Sequence, residues 1–289
     1  MKYRGRFAPS PTGALHAGSL IAAVASYADA LANQGEWLIR MEDVDQGRTV
    51  PGAADAILRS LENYGFEWQG SILFQSSREH RYAEISNELL NRGYAYPCAC
   101  TRREIAATGN AGIEGIIYPG NCRAGLPSGR EGKSIRVRTD QRPICFHDRI
   151  RKRHCQVLER DVGDFVIRRA DGYTAYQLAV VVDDADQGIN QVVRGADLLL
   201  STPRQLWLQE LLGFPRPEYA HVPLLLDSQG RKLSKQDQAH PLSDRNPLPA
   251  LLFSWRFLGQ APPEETPSSV QEFWKWAKTH WNIGTVPSR

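Results

Sequence analysis

The sequence predicts an α/β protein in which helices cover a mainly parallel sheet. Two separate stretches of alternating strands and helices lead to this prediction. Such alternation favours a parallel sheet, because each helix carries the chain back to the edge where the previous strand began. The predicted elements are a strand at 3–8, a helix from His16 to Ala32, a strand at 37–41, a helix from Gly52 to Tyr64, a strand at 191–194, a helix at 202–212 and a strand at Val222–Leu226.

Local signals justify each element in turn. Pro9 stops the first β-favouring stretch, and Gly35 lies just beyond the end of the Ala-rich helix. The apolar residues 37–41 are typical of a buried strand, and Ile57 and Leu61 recur at helical spacing in the next element. The later strands and their helix repeat the same order.

The alternation stops between Gly93 and Gly172, in a stretch rich in Gly, Arg and Cys. This break predicts an insertion or a small second domain. Several prolines and four tryptophans follow residue 240, and they favour a compact helical piece over a second large domain.

Composition excludes several classes of protein. The 289 residues are 42% hydrophobic and 23% charged, which excludes a disordered chain, collagen or a coiled coil. There is no run of about 18 apolar residues, so no membrane span is expected. Pro9 and Pro11 lie too near the start for the apolar stretch of a signal peptide. Five cysteines, an odd number in a chain of this length, favour a reduced, cytoplasmic protein.

Charge is unevenly distributed, although the net charge is only +3. Between Arg123 and Arg160, eleven Lys or Arg residues face four acidic residues. Such a basic segment indicates a polyanionic partner. The alternative is a solvated, Arg-rich loop.

Two short motifs indicate phosphate binding. In the first, residues 9–13 (PSPTG) precede His16-Ala-Gly18-Ser19 at the start of the predicted helix. A helix N-terminus offers free N–H donors, and glycine allows phosphate to approach the backbone. An imidazole at this position can donate a hydrogen bond to an oxygen that gains charge, although a histidine that opens a helix is more often a cap or a surface residue.

The second motif is 230–235 (GRKLSK), which follows the predicted strand Val222–Leu226. Lys232 and Lys235 can neutralise the β- and γ-phosphates of a nucleotide. Taken alone, this motif is more often a solvated basic loop.

Together the two motifs resemble the HIGH and KMSKS signatures of class I aminoacyl-tRNA synthetases. Further segments narrow the resemblance to glutamyl-tRNA synthetases, and the match runs from Arg6 to about Lys235. These segments are RFAPSPTG at 6–13, RMEDVD at 40–45, YQLA at 176–179 with Asp183 and Asp184, VRGAD at 193–197 and TPRQ at 202–205.

Only about fifty residues follow the second motif, whereas a glutamyl-tRNA synthetase continues with a long anticodon-binding region. The chain therefore resembles the glutamyl-Q tRNA(Asp) synthetases, with no anticodon-binding domain. This resemblance implies four parts. They are the first half of a Rossmann-type catalytic domain at 1–76, an inserted acceptor-like domain with a zinc site at 77–174, the second half of the catalytic domain at 175–235, and a short helical region at 236–289.

The resemblance also implies the activity. The enzyme would activate L-glutamate with ATP and Mg²⁺ to glutamyl-AMP, without tRNA, because the distal contacts through which tRNA completes the site are missing. It would then transfer glutamate to queuosine in the anticodon of tRNA(Asp), acting as a monomer. The alternatives are a truncated orthodox glutamyl-tRNA synthetase that charges the tRNA 3′ end, and a non-catalytic paralogue that only binds tRNA or glutamate.

Site residues follow by matching family positions. Glu42 would bind the ammonium group of the glutamate ligand. An arginine suits the side-chain carboxylate of that ligand, because a guanidinium can bind a carboxylate bidentately. The glutamate site would comprise Arg6, Phe7, Ala8, Pro9, Ser10, Glu42, Tyr176 and Arg194. The ATP site would comprise His16, Gly18, Ser19 and Lys235, with His16, Lys232 and Lys235 as the catalytic residues.

Two residues depart from the family pattern. Gln236 replaces the last serine of KMSKS, and Val180 stands where many glutamyl-tRNA synthetases have Asn. The second change predicts the loss of one polar contact to glutamate and weaker binding.

The cysteines of the insertion predict a structural zinc site. Cys98, Cys100 and Cys122 supply three thiolates, and tetrahedral Zn²⁺ takes four ligands. Some relatives use a CxC…YxxxC arrangement, which would make Tyr118 the fourth ligand. Cys145 and His147 are rival fourth ligands, and three ordinary buried thiols are the alternative to any metal.

Overall fold

The computed structural model describes residues 2–226, 242 and 246–288. Its strands are β1 (Arg4–Phe7), β2 (Glu36–Met41), β3 (Leu73–Phe74), β4 (Ala95–Cys98), β5 (Ala111–Gly112), β6 (Gly115–Ile116), β7 (Ser134–Val137), β8 (Pro143–Asp148), β9 (Lys152–Val157), β10 (Phe165–Arg168), β11 (Gln191–Gly195) and β12 (Glu218–Val222). Its α-helices are α1 (Ala17–Ala32), α2 (Ala53–Asn63), α3 (Glu79–Asn91), α4 (Arg102–Thr108), α5 (Leu158–Asp161), α6 (Tyr176–Asp186), α7 (Thr202–Leu212), α8 (Leu248–Phe257) and α9 (Val270–His280). Short 3-10 helices span Gln46–Arg48, Gln75–Arg78, Ala196–Ser201 and Ile283–Thr285. None of the described helices is long and apolar enough to cross a membrane.

Two parallel sheets meet at β1 and β11. One sheet has the order β1-β2-β3 and the other β11-β12-β8-β9, in which only the β8–β9 hairpin is antiparallel. The Asn190 backbone N–H donates to the Arg4 carbonyl at 3.1 Å, and the Arg4 N–H donates to Asn190 Oδ1 at 2.9 Å. These bonds hold the start of β11 beside β1. The carboxyl ends of the parallel strands therefore lie near one another.

The predicted elements of the parallel sheet agree with the observed ones except at the last strand. Val222 is the final residue of β12, so the prediction of a strand at Val222–Leu226 is wrong. The partner strand sets this limit, because Gly195 at the end of β11 pairs with Val222. Pro223 then follows, and it has no N–H for a further ladder bond.

Helix α1 is almost wholly buried because it is covered on two sides. The sheet packs against one side, through β1 and β11, and the C-terminal helices α8 and α9 pack against the other. Small alanines suit this close packing. Buried Asp29 links the layers, since its carboxylate accepts hydrogen bonds from Tyr3 (2.6 Å), Arg149 (2.6 and 3.0 Å) and Trp281 (2.9 Å).

The stretch predicted as an insertion contributes to three different sheets, of which the smallest is the antiparallel pair of β5 and β6. β4, β7 and β10 form a separate antiparallel sheet, whereas the β8–β9 hairpin extends the sheet of β11 and β12. Helix α3 packs against α6. The predicted boundaries at residues 77 and 174 stay a prediction.

One cysteine pair corrects the expectation of a fully reduced protein. Cys145 and Cys155 form a disulfide across the β8–β9 hairpin. The two residues are directly opposite each other in the antiparallel register, and their Cα atoms lie 4.1 Å apart. The odd cysteine count gave no sign of this pairing, because only the strand register brings the two residues together.

Candidate active site

A cavity of about 330 Å³ opens at the carboxyl ends of β1, β2, β11 and β12. Ligands bind in parallel α/β sheets at this edge, where helix N-termini also point. The residues predicted to bind glutamate or ATP all line this cavity, as far as the structure describes them. They are Arg6, Phe7, Ala8, Pro9, Ser10, His16, Gly18, Ser19, Glu42, Tyr176 and Arg194.

His16 begins helix α1 as its N-cap residue. Its Nδ1 accepts a hydrogen bond from the Ser19 backbone N–H at 3.2 Å, and its Nε2 lies 3.1 Å from Ser19 Oγ. A Cβ atom at Gly18 would come within 3.3 Å of the imidazole, so glycine leaves room for the ring. No acidic residue lies in the first turn, and the positive end of the helix dipole is therefore available to an anion.

A network of buried charges supports the cavity floor. Arg40 is fully buried, and its Nη1 lies 2.8 Å from Asp184 and its Nη2 3.4 Å from Glu42. Arg6 pairs with the same Asp184 at 3.1 Å. Burial alone would raise the pKa of Asp184, but Arg6 and Arg40 outweigh burial and lower it. These pairs fix the positions of Arg6 and Glu42 at the cavity.

Asp183 completes this network on the side away from the cavity. Its carboxylate accepts hydrogen bonds from Gln75 at 2.8 Å, Arg78 at 2.6 Å and Tyr82 at 2.8 Å. It also lies 3.8 Å from Arg40 Nε. Buried charges persist where they are paired and hydrogen-bonded in this way.

Arg194 has a different environment from Arg6 and Arg40. It is 5% exposed, and its Nε donates to His221 Nε2 at 3.0 Å. Its Nη2 donates to Thr202 Oγ1 at 2.9 Å and to Gln205 Oε1 at 2.8 Å. Its Nη1 is buried and has no hydrogen-bond partner among the described residues. A buried cationic donor without a partner is suited to an anionic ligand.

Glu42 and Tyr176 also contribute polar groups to the cavity. Burial raises the pKa of Glu42, although Arg40 and Arg6 act in the opposite direction. Burial likewise raises the pKa of Tyr176 to about 12, so its phenol stays protonated and can donate a hydrogen bond. The cavity thus combines guanidinium and phenol donors with a carboxylate.

Comparison with known proteins identifies the family. Residues 2–247 match the family model described as tRNA synthetases class I (E and Q), catalytic domain. The glutamyl-Q tRNA(Asp) synthetase of Dechloromonas aromatica is 56% identical over 288 residues, which are 99% of this chain and 96% of that protein. That of Chromobacterium violaceum is 53% identical over 286 residues, with 99% and 96% coverage.

The chain belongs to the glutamyl-Q tRNA(Asp) synthetase family. It is therefore a ligase of the class I aminoacyl-tRNA synthetases. Among solved structures, the glutamate-tRNA synthetase of Elizabethkingia anophelis superposes with a TM-score of 0.83 at 26% identity, covering 100% of this chain and 67% of that one. These findings confirm the predicted Rossmann-like α/β fold and support the activation of glutamate.

The structure brings the predicted metal ligands of this family member together. The Sγ atoms of Cys98, Cys100 and Cys122 all lie within 4.8 Å of one another. Tyr118 Oη lies 3.4 Å from Cys98 Sγ and 3.5 Å from Cys100 Sγ. Burial opposes ionisation of Cys98, but its hydrogen bonds with Tyr118, the Cys100 backbone and Arg136 lower its pKa to about 7. This cluster could hold a metal ion.

The rival fourth ligands lie elsewhere. Cys145 is bound to Cys155 in the disulfide, and His147 is exposed on β8. Neither belongs to the cysteine cluster that the described residues form. Their selection as alternatives is therefore wrong, since the hairpin that carries them joins the sheet of β12 instead.

Two further predictions concern the lysines of the second motif and Val180. Lys232 and Lys235 lie outside the described residues, so their place at the phosphates stays a prediction. Val180 is 1% exposed and packs within the apolar core below α6. It does not line the cavity, and the weaker glutamate binding expected from this residue stays a prediction.

Sequence reasoning assigned no role to several residues that shape this site. Asp183, Asp184 and Arg40 belong to the segments that resemble the family but have no predicted role, and the sequence predicts no role in the site for His221 or Asp148. A signal existed for the first pair, because two adjacent aspartates follow an apolar helix sequence at 178–182. Nothing in the local sequence marks His221, since its role depends on strand order.

His221 predicts a pH dependence of stability. Burial lowers the pKa of its imidazole to about 4, even though Asp148 acts in the opposite direction. In the unfolded chain the imidazole takes up a proton near pH 6.5, whereas in the folded chain it stays neutral down to about pH 4. The free energy of unfolding therefore falls as pH decreases from 6.5 towards 4. The loss between pH 7.5 and pH 5 is about 2 kcal/mol.

Urea unfolding of the parent and of His221→Gln at both pH values measures this loss. The variant lacks the group in both states, so its loss over this interval should be smaller by that amount. Equal losses in the two proteins would contradict a neutral buried imidazole.

Proposed function

We propose that this enzyme activates L-glutamate with ATP and transfers it to the queuosine base in the anticodon of tRNA(Asp). The cavity carries this proposal, because it combines a helix N-terminus with a buried guanidinium whose Nη1 has no hydrogen-bond partner in the described ranges. The helix N-terminus suits a phosphate and the guanidinium suits a carboxylate. The names of the relatives, which match over nearly their full length, support the acceptor.

Glutamate would lie with its side-chain carboxylate at Arg194. Arg6 and Tyr176 would complete that contact, with Ser10 assisting. Glu42 would accept the α-ammonium group, because it is the carboxylate on the opposite strand of the cavity. Phe7, Ala8 and Pro9 would form the adjoining wall.

ATP would lie with its phosphates at the start of α1. His16 and the backbone N–H groups near Gly18 and Ser19 would bind them, and Lys232 and Lys235 would neutralise the pyrophosphate. The glutamate α-carboxylate oxygen attacks the α-phosphorus, the bond to the bridging oxygen breaks, and pyrophosphate leaves with the electron pair. Mg²⁺ would supply further charge neutralisation. Such a reaction depends on positioning and charge, and it needs no protein nucleophile.

Activation should proceed without tRNA. Arg6 and Glu42 are held by Asp184 and Arg40, and Arg194 by Thr202, Gln205 and His221, so contacts within the chain alone support the glutamate site. A ligand shifts an equilibrium only through different contacts with two states, and a preformed site leaves tRNA little to contribute. ATP–pyrophosphate exchange with glutamate in nuclease-treated enzyme measures this. Exchange that appears only after tRNA is added back would overturn tRNA-independent activation.

The acceptor is tested by locating labelled glutamate after reaction with total tRNA. Label should appear on tRNA(Asp) that contains queuosine and should be absent from the same tRNA isolated from cells that cannot make queuosine. Nuclease mapping should place it in the anticodon loop. Label on the 3′-terminal adenosine would instead favour an orthodox glutamyl-tRNA synthetase.

We also propose that the cysteine cluster binds one structural Zn²⁺. Three thiol sulfurs and the Tyr118 oxygen form a four-donor set, and closed four-ligand sites of this type are structural. The local apolar cluster is small and consists mainly of the ligands and their neighbours Tyr96 and Ala99. Metal would therefore stabilise a region with little core of its own.

Elemental analysis checks the zinc site. Protein purified without chelator should contain about one zinc per chain, as expected for a single four-ligand site. Cys98→Ser and Cys100→Ser should lower this content and destabilise the insertion. Cys155→Ser is the matched control, because it removes a cysteine outside the cluster and should leave the zinc content unchanged. Parent protein without zinc would rule out the site.

A further inference from the structure

His221 connects the glutamate cavity to a carboxylate on the edge hairpin. Its Nδ1 lies 2.6 Å from Asp148 Oδ2, and its Nε2 accepts the Nε–H of Arg194 at 3.0 Å. Asp148 and His221 are both fully buried. The three residues thus form a chain from β8 through β12 to β11.

The other oxygen of Asp148 fixes the orientation of this chain. Asp148 Oδ1 accepts the backbone N–H groups of Ile150 at 3.0 Å, Arg151 at 2.7 Å and His221 at 3.2 Å. An ionised carboxylate only accepts hydrogen bonds, so His221 must place its proton on Nδ1. Its Nε2 is then left as an acceptor for Arg194.

Within the part of the chain that the structure describes, every hydrogen bond that Arg194 donates goes to an uncharged acceptor. Besides neutral His221, these acceptors are Thr202, Gln205 and the Leu198 carbonyl at 3.4 Å. Arg6, by contrast, pairs directly with a carboxylate. Three neutral side chains therefore orient Arg194, and no described residue accepts a hydrogen bond from its Nη1, which suits that group to a ligand.

We propose that His221 is a positioning residue for glutamate recognition. Asp148 fixes the His221 tautomer, and the unprotonated Nε2 orients Arg194 without pairing it with a carboxylate, so that its charge can serve the side-chain carboxylate of glutamate. This inference rests on the proposed function of Arg194. A carboxylate in the place of His221 would orient the guanidinium equally well, but it would neutralise the charge that glutamate needs.

Asp148→Asn is the sharpest test. The three backbone donors hold the amide oxygen in the place of Oδ1, so the amide NH₂ faces His221 Nδ1. The imidazole must then carry its proton on Nε2, where it opposes the Arg194 Nε–H at 3.0 Å and has Thr202 Oγ1 at 3.3 Å as its remaining acceptor. The dissociation constant for glutamate should rise about tenfold or more, while the KM for ATP and kcat should change by less than about threefold.

Two substitutions of His221 separate hydrogen bonding from packing. His221→Gln can place an amide oxygen near the position of Nε2, whereas His221→Leu offers Arg194 no acceptor. The dissociation constant for glutamate should be about fivefold higher in His221→Leu than in His221→Gln. Leu should also lower the preference for glutamate over glutamine, since the lost contact concerns a carboxylate. His147→Gln is the matched control on the exposed face of β8 and should bind glutamate as the parent does.

Calorimetric titration with glutamate alone measures these affinities, and glutamate-dependent pyrophosphate exchange gives KM and kcat. Parent-like affinity in folded Asp148→Asn, or equal affinities in the Gln and Leu variants, would overturn the inference. If Asp148→Asn does not fold, the comparison of glutamate affinity between His221→Gln and His221→Leu tests the inference by itself.

These outcomes are distinct from failure of the proposed function. A parent that binds glutamate but exchanges only with tRNA, or that labels a different nucleotide, would refute the corresponding part of that function and leave the His221 comparison valid. A parent that does not bind glutamate at all would overturn both.

Discussion

The burial of two adjacent carboxylates determines how the site is built. Asp183 and Asp184 on α6 are almost completely buried, and such charges are tolerated only with close partners. Arg40 from β2 lies between them and Glu42, and Arg6 from β1 takes the remaining place at Asp184. The requirement for charge compensation therefore joins β1, β2 and α6 at the carboxyl edge of the sheet.

This network is better understood as a positioning device than as a source of stability. Desolvation of buried charges offsets much of their attraction, whereas removal of one partner leaves an unpaired charge and is costly. Few other arrangements of β1, β2 and α6 would satisfy all five charged groups. Arg6 and Glu42 consequently face the cavity in fixed positions before any ligand binds.

The two arginines that line the cavity have different partners. Arg6 is offset by a carboxylate, whereas the described residues that accept hydrogen bonds from Arg194 are all neutral. Arg194 and the carboxylate Asp197 line the cavity at the β11 side, and the carboxylate Glu42 lies on the β2 side. An α-amino acid with an acidic side chain carries charges that complement Arg194 and Glu42.

Much of the fold and of the candidate site was determined by the sequence itself. Helix α1, the strands β1, β2 and β11, and the place of His16 at a helix start follow from apolar spacing, Pro and Gly, because these signals act between residues near in the chain. The cysteines of the metal cluster were equally visible as a short spacing pattern. The residues of the glutamate site were predicted from ordered segments similar to those of a known family.

Only the tertiary structure decided which distant residues meet. His221 lies 73 residues from Asp148 and 27 from Arg194, so their connection exists only because β12 lies between β8 and β11. The Cys145–Cys155 bond and the end of β12 at Val222 depend in the same way on strand register. Local patterns specify elements, but the order and register of strands arise from the packing of the whole sheet, and that packing completes the surroundings of Arg194.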